Sequence, residues 1–222
     1  MDFTEHSDTL EQALQSNESL EKEHLYFSKS MLDAYDNAIY GMDLLAIGAL
    51  NRSMSLSSGF RSMLKNKNLI CAGALLRLQI DTAIRFHAAW LVEEPHTFAQ
   101  QILVGKQINR IKDSAGMRMT DAYLIKKLEA EHPWLPGVYK KTSAYVHLST
   151  THMMSALSPA SEKEKSIKIK ISPSDKELPE SLYIEAVDAF NAATRLFLFY
   201  VRSWTVTKDN PDLFDNKKKE TH

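Results

Sequence analysis

The stretch Leu69-Ile70-Cys71-Ala72-Gly73-Ala74-Leu75-Leu76-Arg77-Leu78-Gln79-Ile80-Asp81-Thr82-Ala83-Ile84-Arg85-Phe86-His87 decides the fold. Apolar residues fall on nearly every side of it and continue to Trp90. A helix that is apolar all round belongs at the centre of a bundle. The pattern predicts a helix over 69–94, with Pro95 ending it or opening the next element. Three charges interrupt the run. Arg77, Asp81 and Arg85 are spaced by four, which sets them within about 80° of one face and lets neighbours pair. Charges on a central helix are expensive unless paired and hydrogen-bonded. Two readings follow. Either the arginines grip an anionic ligand and Asp81 holds them in place, or the three form a structural ion network between helices or subunits.

Outward from this helix the chain reads as more helices. Residues 1–28 form a polar N-terminal helix or arm with a thin stripe at Leu10 and Leu14, and Ser28-Lys29-Ser30 forms a break. From Met31 to Leu64, Leu32, Tyr35, Ile39, Met42, Ala46, Ala49 and Leu50 recur at spacings of three and four. This is one long helix, or two if Ser53 to Gly59 bends it. A short helix follows Pro95 and closes at Gly105. Thr120 or Asp121 caps another, Pro133 stops it, and Pro136 opens the next, through His147. Ile167, Ile169 and Ile171 alternate with lysines, the period of a strand. At most one short strand or hairpin is expected near 166–172, paired with Met117 to Thr120 or with a second subunit. Pro179 opens the last helix, to about Val206. The expected organisation is a polar arm (1–28), a single bundle domain (29–207) and a disordered tail (208–222) bearing Lys217-Lys218-Lys219.

Composition agrees with an all-α, multi-helix bundle. Seven glycines and seven prolines in 222 residues make about 6%, against a usual ~12%. Sandwiches and barrels need more turns than that. Gly41, Gly48 and Gly73 lie inside helical patterns, where each costs about 1 kcal/mol against alanine, and so mark candidate close helix approaches. The net charge of −1 conceals an asymmetry: residues 1–48 carry −8, residues 49–118 carry +6 and the remainder +1. An acidic first segment packed near a basic second one explains this, as does a basic groove for an anion. The single cysteine, Cys71, allows no internal disulfide and reads as a buried, inert thiol. The N-terminus lacks the basic and apolar regions of a signal peptide, and no 18-residue apolar run exists. A cytoplasmic protein with no membrane partner is the expectation.

Phosphate-binding glycine loops, His-Glu-x-x-His, Cys-x-x-Cys and Gly-x-Ser-x-Gly are missing from the sequence. No cofactor and no metal site is expected: His147 and His152 are five apart, about 140° around a helix. A second polar ladder, Tyr139, Ser143 and His147, again has a spacing of four. A phenol, a hydroxyl and an imidazole in line can bind a polar ligand or move a proton. If the two ladders face each other, Arg77, Asp81, Arg85, Ser143 and His147 line one polar seam.

The segment Tyr139-Lys140-Lys141-Thr142-Ser143-Ala144-Tyr145-Val146-His147 resembles a bacterial family of unknown function with a Tyr-x-x-Leu-Ser-x-x-x-His motif. Leu76 to Arg85 resembles its central helix. That family is distantly similar to the HEPN superfamily of helical bundles, which often dimerise. Its active ribonucleases carry arginine, a polar residue, three variable residues and histidine. The resemblance places His147 and Ser143 as catalytic candidates, and Thr142 stands where the arginine would be. Arg77 or Arg85 would then have to supply the charge. It implies a homodimer that binds a nucleotide, RNA or protein partner in the seam, through Arg77, Asp81, Arg85 and Tyr139. The alternatives are a metal-independent ribonuclease using His147 and a ligand-free interaction module.

Overall fold

A computed structural model describes residues 7–161 and 166–211 of the chain. The fold is an all-α bundle with one small hairpin. Its helices are α1 (Leu10–Asp33), α2 (Gly41–Lys65), α3 (Leu69–His87), α4 (Pro95–Leu103), α5 (Asp121–Leu128), α6 (Leu135–Val146), α7 (Thr150–Ala156) and α8 (Glu180–Asp209). Helix α3 is central, touching α2, α5, α6 and α8, while α1 packs on α8 and α2. It ends at His87, earlier than expected, in a 3-10 turn over Ala88–Trp90.

The caps explain several boundaries. Asn68 Oδ1 accepts from the Cys71 amide at 3.0 Å and starts α3, and Thr120 Oγ1 accepts from the Tyr123 amide at 3.3 Å and starts α5. Each satisfies a donor the first turn leaves orphaned. Pro95 and Pro136 occupy first turns, where a missing N–H costs nothing.

The N-terminal segment is the helix of the two readings, and only its break is corrected. Helix α1 runs unbroken through Ser28–Ser30 and buries Ala13, Asn17, Leu20, His24 and Met31 against the bundle. The break lies instead at Tyr35-Asp36-Asn37, three successive residues in left-handed conformation (φ 52°, 53° and 61°). Helix α2 then runs unbroken through Ser53 to Gly59, and Ser53 and Ser57 turn inward to buried partners. His24 Nδ1 donates to Leu20 O at 2.7 Å, so its Nε2 accepts from Ser53 Oγ at 2.8 Å, and Ser53 in turn accepts from Gln79 Nε2 at 2.7 Å. Below it, Ser57 Oγ and Arg61 both donate to Asn17 Oδ1 at 2.9 Å, and Asn17 Nδ2 donates to Asn191 Oδ1 at 2.8 Å. Buried networks of this kind fix helix register, although Gln79 Oε1 is left without a partner among the described residues. Of the acidic first segment, Glu21 meets the basic second at Arg61. The apolar core closes around the Phe60–Phe190 stack, ring centroids 4.2 Å apart.

Three further expectations change. The partner of the isoleucine strand within the chain is not Met117 to Thr120. Strand β2 (Ser166–Ile169) pairs antiparallel with β1 (Leu157–Ser161), which the sequence reading gave to the end of a helix. The tail begins later: Lys208 and Asp209 belong to α8, and Lys208 is buried. Residues 212–222, Lys217 to Lys219 among them, lie outside the described residues. Cys71 is exposed, on the solvent side of the first turn of α3. No helix among the described residues is long and apolar enough to cross a membrane.

Of the three helical glycines, Gly73 marks a close approach. A Cβ there would lie 2.5 Å and 2.6 Å from Cδ2 and Cγ of Tyr145 on α6, whereas at Gly48 it would meet nothing within 4 Å. Gly73→Ala is expected to destabilise the fold by about 1–3 kcal/mol through overpacking. In a Tyr145→Ala background the same change becomes stabilising by about 1 kcal/mol, the helix-propensity gain. Urea denaturation of the four proteins of this cycle measures the coupling. Equal effects in both backgrounds would remove the contact from the account.

Candidate functional site

Helices α3, α5 and α6 bring the two ladders together. Arg77 reaches from the centre of α3, its guanidinium carbon 3.7 Å from the centre of the Tyr139 ring on α6. Its Nε donates to Ser143 Oγ at 3.4 Å, and Ser143 donates to Tyr139 O at 2.8 Å. Arg77 also pairs with Asp81, one turn on. Arg85 grips Asp121, at the start of α5, with Nε and NH2 at 3.0–3.2 Å. Asp121 further accepts from the Tyr139 hydroxyl at 3.3 Å and lies 3.5 Å from Arg77. Five of the six expected site residues therefore share one seam: Arg77, Asp81, Arg85, Tyr139 and Ser143.

His147 is the sixth, and it stands apart. Helix α6 ends at Val146, and His147 is its C-cap, in extended conformation and exposed. Its ring makes no hydrogen bond, ion pair or ring contact with the described residues. The ladder is cut one residue short because the helix turns aside at its cap. Thr142 is buried, and its hydroxyl donates back to Val138 O at 2.7 Å, on its own helix.

The seam is electrically closed. Two guanidiniums face two carboxylates. Burial pushes the Asp81 carboxyl up, against the pull of Arg77. Burial acts the same way on Asp121, but its hydrogen bonds and charge contacts with Arg85 and Arg77 win and hold it below the usual carboxylate range. Burial of Arg85 is likewise outweighed by Asp121 and Asp81, so it stays charged.

At Asp81 and Arg85 the seam opens into a cleft of about 300 Å³ between α2, α3 and the end of α4. Leu44, Leu45, Ala49, Phe86, Leu103 and Ile108 give it apolar walls, and the bare Gly48 leaves its α2 side open. Arg52 lies at its edge. Its Nε donates to Thr82 Oγ1 at 3.1 Å, and no carboxylate among the described residues pairs with it. Both its terminal amino groups, and NH1 of Arg85, keep spare donors. The sequence reading missed Arg52 and treated Asp121 only as a capping candidate. A net count of charges across α2, α3 and α5 would have found both, but only with the helix neighbours known.

Among the described residues no group of three His, Cys, Asp or Glu side chains is placed to hold a metal ion. Comparison with protein-family models, with curated proteins and with solved structures finds no match to this chain.

Proposed function

We propose that this is a binding protein whose α2–α3–α4 cleft takes a nucleotide-class ligand: a flat, weakly polar ring carrying an anionic group. The observation that carries the reading is Arg52, a guanidinium at the rim of an apolar cleft with no carboxylate among the described residues to neutralise it. The ring packs on Leu44, Ala49 and Phe86. The anion meets Arg52 and the free amino group of Arg85. Of the seam, Arg85 alone meets the anion, and Asp121 and Asp81 hold it in position. A volume near 300 Å³ suits a small ligand. The HEPN-like ribonuclease alternative has weaker support, because His147 stands outside the seam, away from both arginines.

Titration with nucleoside mono- and diphosphates, followed by NMR or calorimetry, tests this. Arg52→Ala is expected to weaken binding about 10–100-fold, the worth of a charge-assisted hydrogen bond. Gly48→Leu fills the cleft and abolishes binding, and His147→Ala leaves it unchanged. Binding that survives both Arg52→Ala and Gly48→Leu, or binding of RNA alone, would overturn the assignment.

A further inference from the structure

A second pocket, of about 280 Å³, lies where the α1–α2 turn, the start of α4 and the end of α8 meet. Its walls are aromatic. The Tyr35 and Tyr40 ring centroids are 6.2 Å apart, Tyr40 and His96 are 5.3 Å apart, and His96 meets Trp204 edge-on at 5.4 Å. Glu93 and Glu94 stand at the rim, both exposed. The one cation among the lining residues, Lys208, is withdrawn from solvent. Its side chain is 0% exposed and ion-pairs with the equally buried Asp43 at 3.3 Å. Glu93 therefore sets an exposed carboxylate at the rim. The α4 N-terminus is a poor anion site here, because its first residue is Pro95, which has no N–H.

We propose that this pocket binds a small organic cation of the quaternary or methylated ammonium class. Aromatic faces attract such a cation through their quadrupoles, and nearby carboxylates add to the attraction. Tyr35 completes the wall because of the left-handed run at Tyr35, Asp36 and Asn37. That conformation is strained for a residue with a Cβ, for Tyr35 most of all. It is retained where the surroundings over-determine it, often at ligand clamps. Here the Tyr35 amide donates to Asp209 Oδ1 at 2.9 Å and ties the turn to the end of α8.

Calorimetry of the full chain with choline and with tetramethylammonium tests the proposal, with the uncharged tert-butyl analogue of choline as control. Both cations are expected to bind, and the uncharged analogue to bind about tenfold more weakly. Tyr35→Leu keeps bulk and removes the ring; Glu93→Gln keeps shape and removes charge. Each is expected to weaken cation binding several-fold with the circular dichroism spectrum unchanged, while Arg52→Ala leaves it untouched. Failure of both cations to bind at millimolar concentration, equal binding of the uncharged analogue, or full-strength binding by Tyr35→Leu would overturn it.

Discussion

Lys208→Met is expected to destabilise the protein by about 3–5 kcal/mol, the usual cost of leaving one member of a buried ion pair behind. The Lys208 and Asp43 side chains are both wholly buried. Lys208 Nζ donates to Met31 O at 2.7 Å, at the end of α1. Asp43 accepts from Trp204 Nε1 at 2.8 Å and from the Tyr40 amide at 2.7 Å. One pair thus ties α1, the start of α2 and the end of α8. Methionine matches the lysine stem but strands the carboxylate of Asp43 and the carbonyl of Met31. Against a typical total of 5–15 kcal/mol, the loss is a third of the stability or more. Asp43→Asn keeps the shape and strands the ammonium instead, so it is expected to cost a comparable amount. The double variant, Lys208→Met with Asp43→Leu, is expected to recover much of the loss, since an apolar pair carries no desolvation debt. Urea denaturation of the parent, Lys208→Met, Asp43→Leu and the double variant gives the coupling directly. Additive single effects would show that the pair is not a unit.

That pair also shows where sequence reading stops. Pattern alone gave the central helix, since Leu76, Ile80, Ala83, Ile84 and Phe86 are apolar wherever the neighbours lie, and prolines gave the openings of α4, α6 and α8. The ladders were legible because spacing by four is a property of one helix. Everything depending on two distant elements was not. Lys208 looked like the first residue of a frayed tail because its partner is 165 positions away. Asp121 looked like a cap because nothing in the sequence brings it to Arg85. Cys71 looked buried because its neighbours are apolar, yet on a central helix the first turn still reaches solvent. The turn after α1 was read as helix because Tyr35 keeps the period. Asp36 and Asn37, which tolerate the left-handed region better than most residues, were the available signal. Of the site, the seam was legible and the cleft was not, for the cleft is defined by what α2 leaves uncovered.

The second large effect is on pH. His87 lies at the end of α3, 8% exposed, its ring centroid 4.7 Å from that of Tyr200, and neither ring nitrogen has a hydrogen-bond partner among the described residues. Burial, with a smaller contribution from the charge of His132, pushes its pKa from 6.5 down to about 4. The unfolded chain therefore takes up this proton before the folded one does. Stability is complete above about pH 6.5, falls as the pH drops through the window, and by about pH 4 has lost roughly 3 kcal/mol on this residue's account. His24, also lowered by burial, adds to the loss in the same direction. Carboxylates held low by partners, such as Asp121, contribute at the acid end of the window and below. His87→Phe keeps an aromatic ring against Tyr200 and removes the titration. At pH 7 it is expected to be at least as stable as the parent, because it buries no unpaired nitrogen. Between pH 6.5 and 4 its stability should fall about 3 kcal/mol less than the parent's. Urea denaturation at pH steps across the window measures both slopes. Equal slopes would mean that His87 reaches solvent and protonates in the folded state, and that the α3–α8 contact at Tyr200 opens on acidification rather than resisting it.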